Sequence, residues 1–128
     1  MIGHGVEELL RFVSPVLWIS RKPLEDIGLH GHVLRKCSRV LLGIGSANHD
    51  PLEFSDPERL DFGRSEAHSL AFGHGPHYCI GAALAKMEAE IALSALLRRM
   101  PHMRLATEKF EYEPTYAVRS LKALPVAI

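Results

Sequence analysis

The residues with the most chemistry in them lie between Ala71 and Gly81: Ala-Phe-Gly-His-Gly-Pro-His-Tyr-Cys-Ile-Gly. Three glycines and a proline surround Cys79, and a helix-forming run from Ile80 to Glu88 follows at once. Gly73 and Gly75 permit the tight bends of a loop, because glycine enters the left-handed region without steric cost. Cys79 is therefore expected at a loop-to-helix junction, where unpaired backbone N–H groups favour negative charge. A thiolate held there is a metal ligand or a nucleophile. Gly81, Ala82 and Ala83 leave that helix end without bulk, so a flat group could lie close against it. Two other readings compete. Cys79, His77, His74 and Cys37 are permitted zinc ligands, although no paired Cys-x-x-Cys or His-x-x-x-His framework accompanies them. Alternatively Cys79 is a small buried hydrophobe and the chain is a cofactor-free, degenerate binding module.

The elements that must position this loop are legible in outline. Val6, Leu9, Leu10 and Val13 recur at helical spacing and predict a helix over Gly5–Val13, stopped by Ser14-Pro15. Glu8 lies three residues before Arg11 and Glu7 four before it, and spacing does not choose between them. Val16 to Ile19 is apolar and extended, ending at Ser20-Arg21, as in a core strand. Short strands are predicted at Ile27–Leu29, Val33–Leu34 and Arg39–Leu42, then a short helix over Gly43–Asn48. Residues 51 to 70 read as an irregular segment held by Phe54, Leu60 and Phe62. The longest helix is predicted over Cys79–Met100, with Ile80, Leu84, Met87, Ile91 and Ala95 forming its apolar stripe. Arg98 and Arg99 suit its last turn, and Pro101 closes it. Strands are expected at Met103–Leu105, Tyr116–Val118 and Pro125–Ile128.

Composition narrows the function classes. With 128 residues, 47% hydrophobic and 23% charged, the chain is sized for one globular domain. Lys plus Arg equals Asp plus Glu at 15 each, so no general attraction to nucleic acid or an anionic membrane is expected. No apolar run approaches the length of a membrane span, and the N-terminus lacks the pattern of a signal peptide. Two cysteines are too few for a disulfide framework, and a reducing, cytoplasmic location suits a thiolate.

The pattern Phe72-Gly73-x-Gly75-x-His77-x-Cys79-x-Gly81 resembles the haem-binding loop of the cytochrome P-450 monooxygenases, with six typed positions at fixed spacing. The resemblance implies haem b with Cys79 as axial thiolate, a ligand that pushes electron density to the iron and favours O–O cleavage. It implies a propionate contact for His77, shielding of the sulfur by Phe72, and a haem-facing loop at Gly73, Gly75 and Gly81. Between Glu7 and Glu8 it selects Glu8-x-x-Arg11 as a buried structural pair. Pro57-Glu58-Arg59-Leu60, similar to the family's Pro-x-Arg-Phe motif, supplies Arg59 as the third partner. Arg21 is assigned to a propionate, whose two oxygens suit a planar guanidinium. Leu17, Trp18 and Ile19, and Tyr116, Ala117 and Val118, are possible substrate contacts. Asn48-His49-Asp50-Pro51 is similar to the family's Asn-Arg-Asp-Pro. Arg35-Lys36-Cys37 stands where a Pro-x-Gly turn is usual, so a strained or rearranged turn is expected there.

The fold class so implied is α+β, the C-terminal portion of the cytochrome P-450 fold. Its parts are the Glu-x-x-Arg helix, small antiparallel sheets, a meander, the cysteine loop and the long helix after it. Residues 1–128 would form a single haem-binding fragment. The activity implied is insertion of one oxygen atom from O2 into a small organic substrate, with electrons from a ferredoxin or a flavoprotein reductase. The family's acid–alcohol pair has no counterpart here: the only threonines, Thr107 and Thr115, follow the cysteine loop. The chain therefore reads as truncated and is expected to be inactive alone.

Overall fold

The first helix, α1 (Ile2–Val13), begins earlier than the apolar periodicity predicts and takes in Gly3 and Gly5. The computed structural model describes residues 2–65 and 69–128. Val6 is buried on α1, and so are the charged Glu8 and Arg11 beside it. The helix ends at Ser14, whose φ of 44° leaves the helical region while its N–H still donates to the Leu10 carbonyl at 3.0 Å. The Ser14 hydroxyl donates to the Arg11 carbonyl at 2.8 Å, satisfying one of the open acceptors at this helix end.

Strand β1 (Trp18–Arg21) pairs antiparallel with β4 (Val40–Gly43), matching Trp18 with Gly43 and Arg21 with Val40. A Cβ at residue 43 would lie 3.0 Å from the Trp18 ring, so the indole packs closely only because that residue is glycine. Between them, β2 (Ile27–Leu29) and β3 (His32–Leu34) form a hairpin. Its two turn residues, His30 and Gly31, both have positive φ (47° and 80°), as the twist of a two-residue hairpin requires.

The expected trouble at the next turn is present. Cys37 sits at φ 61°, a conformation ordinarily left to glycine. Its N–H donates to the Pro23 carbonyl at 2.9 Å. The Asp26 carboxylate clamps the same turn, accepting from the Lys36 N–H at 2.8 Å and from Arg35 at 2.6 Å. These donors hold the Asp26 carboxyl below its ordinary value, the Lys36 N–H contributing most.

Strand β4 runs directly into α2 (Ile44–Ala47), and the next described helical element is a 3-10 turn at Gly75–His77. The last helix, α3 (Ala82–Arg99), is shorter than predicted at both ends. Strands β5 (Arg104–Leu105) and β6 (Val126–Ala127) pair near the C-terminus. Bridges between Val16 and Val118 and between Tyr112 and Leu121 lay the intervening excursion beside the approach to β1.

One packing expectation is corrected. Leu60 and Phe62 are exposed, and of the three apolar residues expected to hold residues 51 to 70 only Phe54 is buried. Guanidinium groups hold that segment instead: Arg11 donates to the carbonyls of Asn48, Pro57 and Arg59, and Arg64 to those of Ser55, Asp56 and Arg59. The α3 stripe of Ile80, Leu84, Met87 and Ile91 faces solvent. The helix meets α1 through polar groups, with Lys86 2.5 Å from Glu7, and Glu90 lies close over Gly3. Periodicity identifies an apolar face but not whether anything covers it.

The interior is correspondingly small and polar. Among the described residues the buried hydrophobic side chains are Val6, Ile44, Phe54 and Ala82, alongside buried Glu8, Arg11, Ser14 and Asn48. The accessible surface is 10089 Å² for 14.2 kDa. A compact monomer of that mass exposes roughly 6,800 Å², so this chain shows roughly 3,300 Å² more.

Candidate functional site

The cysteine loop is built from its own backbone. Gly73 donates to the Leu70 carbonyl at 2.8 Å, Tyr78 to Gly75 at 2.9 Å, and Cys79 to Phe72 at 2.9 Å. Gly73 and Gly75 take φ of 75° and 70°, which is why this loop needs glycine at both. Cys79 lies just outside α3, its carbonyl accepting from the Ala82 N–H at 3.2 Å, and its thiol is free and exposed. A Cβ at Gly81 would stand 3.9 Å from the Cys79 sulfur. Phe72 is fixed by an edge-on contact with Tyr78, centroids 6.4 Å apart, and by the Lys86 ammonium 5.4 Å from its ring centre. Lys86 is held above the usual lysine value, chiefly by its hydrogen bond to Glu7.

Cys79 opens on a groove of about 300 Å³ whose walls are mostly apolar. Phe72, Gly73 and His77 reach it from the cysteine loop, Leu10 from α1, and Ile19 and Arg21 from β1. Ile19 and Arg21 share a face because side chains two apart on a strand point the same way. The other expected contacts fall elsewhere. The Trp18 ring packs on Gly43, and Leu17 lies against Gly45, within 3.2 Å of where a Cβ would be. Leu17 N–H donates to the Ala117 carbonyl at 2.8 Å, so Ala117 adjoins that segment through its backbone, while Tyr116 is exposed. Gly75, Gly81, Leu17, Trp18, Tyr116, Ala117 and Val118 are not among the groove's walls.

These residues fit a flat, apolar group that carries carboxylates and takes a thiolate ligand. The sulfur is accessible, the adjoining helix end is bare, the walls are apolar, and a guanidinium and an imidazole share the groove. The zinc alternative finds no site: among the described residues no three His, Cys, Asp or Glu side chains are grouped to hold a metal ion. A larger cavity, about 1010 Å³, lies on the other side of Phe72 against Glu8, Arg11 and Lys86, and Cys79 is not among its walls.

The charged frame beneath the loop resolves the choice left open by spacing. Arg11 binds Glu8 with two parallel hydrogen bonds, 2.8 and 2.9 Å, while Glu7 turns outward to Lys86. Arg11 and Glu8 are 2% and 5% exposed, so the pair is internal. The third partner is not the guanidinium of Arg59. The Arg59 side chain is 71% exposed and only 4.0 Å from Asp61, and it is its carbonyl that accepts from Arg11 at 3.2 Å. Arg64 takes the inner place, 3.3 Å from Glu8 and 7% exposed. The Asp61 N–H also donates to Glu8 at 2.9 Å. Burial acts to raise the Glu8 carboxyl, but the donors from Arg11, Asp61 and Arg64 outweigh it and hold the group at about 2 rather than 4.5. Arg59 stands in a recognisable motif and Arg64 does not, and residue type cannot say which arginine the chain turns inward.

Asn48 is the other residue that the sequence did not single out. It is fully buried at the end of α2. Its side-chain amide donates to the Ser14 hydroxyl at 2.8 Å, its side-chain oxygen accepts from the Leu70 N–H at 2.7 Å, and its carbonyl accepts from Arg11 at 2.7 Å. Asparagine at the end of a predicted short helix, just before His-Asp-Pro, reads as an ordinary helix terminus, which hides this role.

Comparison with known proteins gives the family. The family model for Cytochrome P450 matches residues 4–116. The biotin biosynthesis cytochrome P450 of Bacillus subtilis (strain 168) is 44% identical over 126 residues, spanning 98% of this chain and 32% of that protein. The cytochrome P450 monooxygenase PikC of Streptomyces venezuelae is 43% identical over 129 residues, spanning 98% of this chain and 31% of that protein. The crystal structure of P450BioI in complex with an acyl carrier protein ligated to hexadec-9Z-enoic acid superposes with a TM-score of 0.94 at 44% identity, over 98% of this chain and 32% of that one. The chain thus spans about a third of the length of the relatives it matches. With its glycine-built cysteine loop, buried Glu8–Arg11 pair and α+β architecture, it belongs to the cytochrome P450 family.

Proposed function

We propose that this chain is the haem-binding, iron-thiolate part of a cytochrome P-450 monooxygenase acting on a small organic substrate, with electrons from a ferredoxin or a flavoprotein reductase. The observation that carries this reading is the exposed Cys79 thiol opening on an apolar groove that Arg21 and His77 also line. Cys79 is the iron ligand, and Gly73, Gly75 and Gly81 keep the loop and helix end low enough for a flat ring. Arg21 and His77 take the carboxylates. Phe72, pinned between Tyr78 and Lys86, limits water at the sulfur. When bound, the haem supplies the iron at which O2 is activated. Glu8, Arg11 and Arg64 act structurally, fixing the segment that leads into the loop. Ile19 is the best placed of the proposed substrate contacts.

The test is optical. The 128-residue chain is reconstituted with haem, reduced under carbon monoxide, and its Soret band compared in Cys79→Ser and Cys37→Ser. The thiolate-type red-shifted band is expected to survive Cys37→Ser and to vanish in Cys79→Ser. The reverse pattern would overturn the assignment. The chain alone is expected to bind haem weakly and to give no coupled oxidation of a substrate panel, because its groove is open to water on one side. Tight stoichiometric haem with thiolate-dependent product formation would show that these residues suffice.

A further inference from the structure

We infer that Asn48 is a positioning residue that transmits the geometry of the Glu8–Arg11 pair to the cysteine loop. The inference rests on the haem-thiolate reading for its consequence, but not for its geometry. A continuous path of hydrogen bonds runs between the two. Arg11, locked on Glu8, donates to the Asn48 carbonyl at 2.7 Å. The Asn48 side chain spans outward from there, anchored at the Ser14 hydroxyl and accepting from the Leu70 N–H. The Leu70 carbonyl in turn accepts from Gly73, and the neighbouring Phe72 carbonyl accepts from Cys79. Leu70, Phe72, Gly73 and Cys79 all line the groove, so a shift at Leu70 moves its wall and its thiol together.

Only a residue with both a donor and an acceptor on a short stem fits this place. The Ser14 hydroxyl already donates to the Arg11 carbonyl and can only accept from Asn48. The Leu70 N–H needs an acceptor. The Asn48 side chain is itself fully buried, so its own amide and oxygen depend on these two protein partners. Asparagine supplies both in one rigid plane, whereas aspartate supplies only the acceptor and alanine neither.

The experiment is amide hydrogen exchange on the full chain, comparing the unmodified protein with Asn48→Ala, Asn48→Asp and Ser14→Ala. Asn48→Ala is expected to speed exchange at Leu70, Gly73 and Cys79 by about tenfold or more, the loss of one protecting hydrogen bond. The α1 amides serve as the internal reference and are expected to keep their protection. Asn48→Asp, which retains the acceptor, is expected to restore protection at Leu70 in part, and Ser14→Ala to give a smaller change at the same amides. Equal loss of α1 and loop protection in both Asn48 variants would assign a general packing role and overturn the inference. Unchanged exchange at Leu70 would overturn it too. In the haem-loaded chain, Asn48→Ala is expected to convert part of the reduced, carbon monoxide-bound Soret band to the non-thiolate type, and Asn48→Asp to recover it. The exchange measurement contains no haem, so it fails only with the positioning inference. Absence of a thiolate-type band in the unmodified chain would sink the haem reading alone.

Discussion

Arg11→Ala is expected to remove a large part of the stability of this chain, and Arg59→Ala almost none. Arg11 is 2% exposed, binds both oxygens of a buried carboxylate, and holds the carbonyls of Asn48, Pro57 and Arg59. Breaking one side of a buried pair costs about 3–5 kcal/mol, because the other charge is left without its partner. The lower end applies to the pair itself, since Arg64 and the Asp61 N–H remain on Glu8. The Asn48 and Pro57 carbonyls would also lose a charged donor, at about 1 kcal/mol each or more if water cannot replace it, while the Arg59 carbonyl keeps Arg64. The terms are not additive, and a total of about 4–5 kcal/mol is reasonable against the roughly 5–15 kcal/mol available to a folded domain. Arg59 offers the control. Its side chain is 71% exposed with a 4.0 Å ion pair, so its removal is expected to stay within about 0.5 kcal/mol. Urea unfolding followed by far-ultraviolet circular dichroism at pH 7 reads both variants. An unchanged midpoint for Arg11→Ala, or equal losses for Arg11→Ala and Arg59→Ala, would refute the internal network described above.

Acid should act on the same group. Glu8, held at about 2 against 4.5, contributes stability that is present above about pH 4.5 and is lost as pH falls through 2, about 3 kcal/mol in all. A nuclear magnetic resonance titration placing the Glu8 carboxyl near 4.5 would contradict this. At the strained turn, Cys37→Gly is expected to add up to about 1 kcal/mol of stability, seen as a raised urea midpoint, the relief of a left-handed L-residue less glycine's added unfolded entropy. A lowered midpoint would mean that the cysteine side chain contributes packing. Ile91, 63% exposed on α3, is expected to accept glutamate at a cost below about 1 kcal/mol with reduced self-association in sedimentation analysis. A loss on the scale of a core substitution would show that the face is covered in solution.

The cysteine loop was legible because its chemistry is local. Its glycines, its cysteine and the helix after them are adjacent in sequence, and each is needed for a reason that does not depend on distant residues. The Glu8–Arg11 pair was half legible: spacing allowed Glu7 as well, and only tertiary packing turned Glu8 inward and Glu7 toward Lys86. Arg59 and Asn48 show where sequence reasoning stops. An arginine that gives its carbonyl rather than its guanidinium looks no different in one dimension, and a buried asparagine looks like an ordinary helix end. The α3 stripe was legible as an apolar face, and in this chain Leu84, Met87 and Ile91 are exposed.

The small polar interior has a calorimetric consequence. An unfolded chain of this mass exposes roughly 20,600 Å², so folding to 10089 Å² hides about half of it, where a compact monomer would hide about two-thirds. The heat-capacity increment of unfolding follows apolar exposure, and buried polar groups subtract from it. The increment per residue should therefore fall at least a quarter below the usual ~12–15 cal/mol/K. A curve of stability against temperature is then shallow, with a broad, low maximum and a wide melting transition. Cooling would weaken such a chain little, because little of its stability comes from the hydrophobic term that fades in the cold.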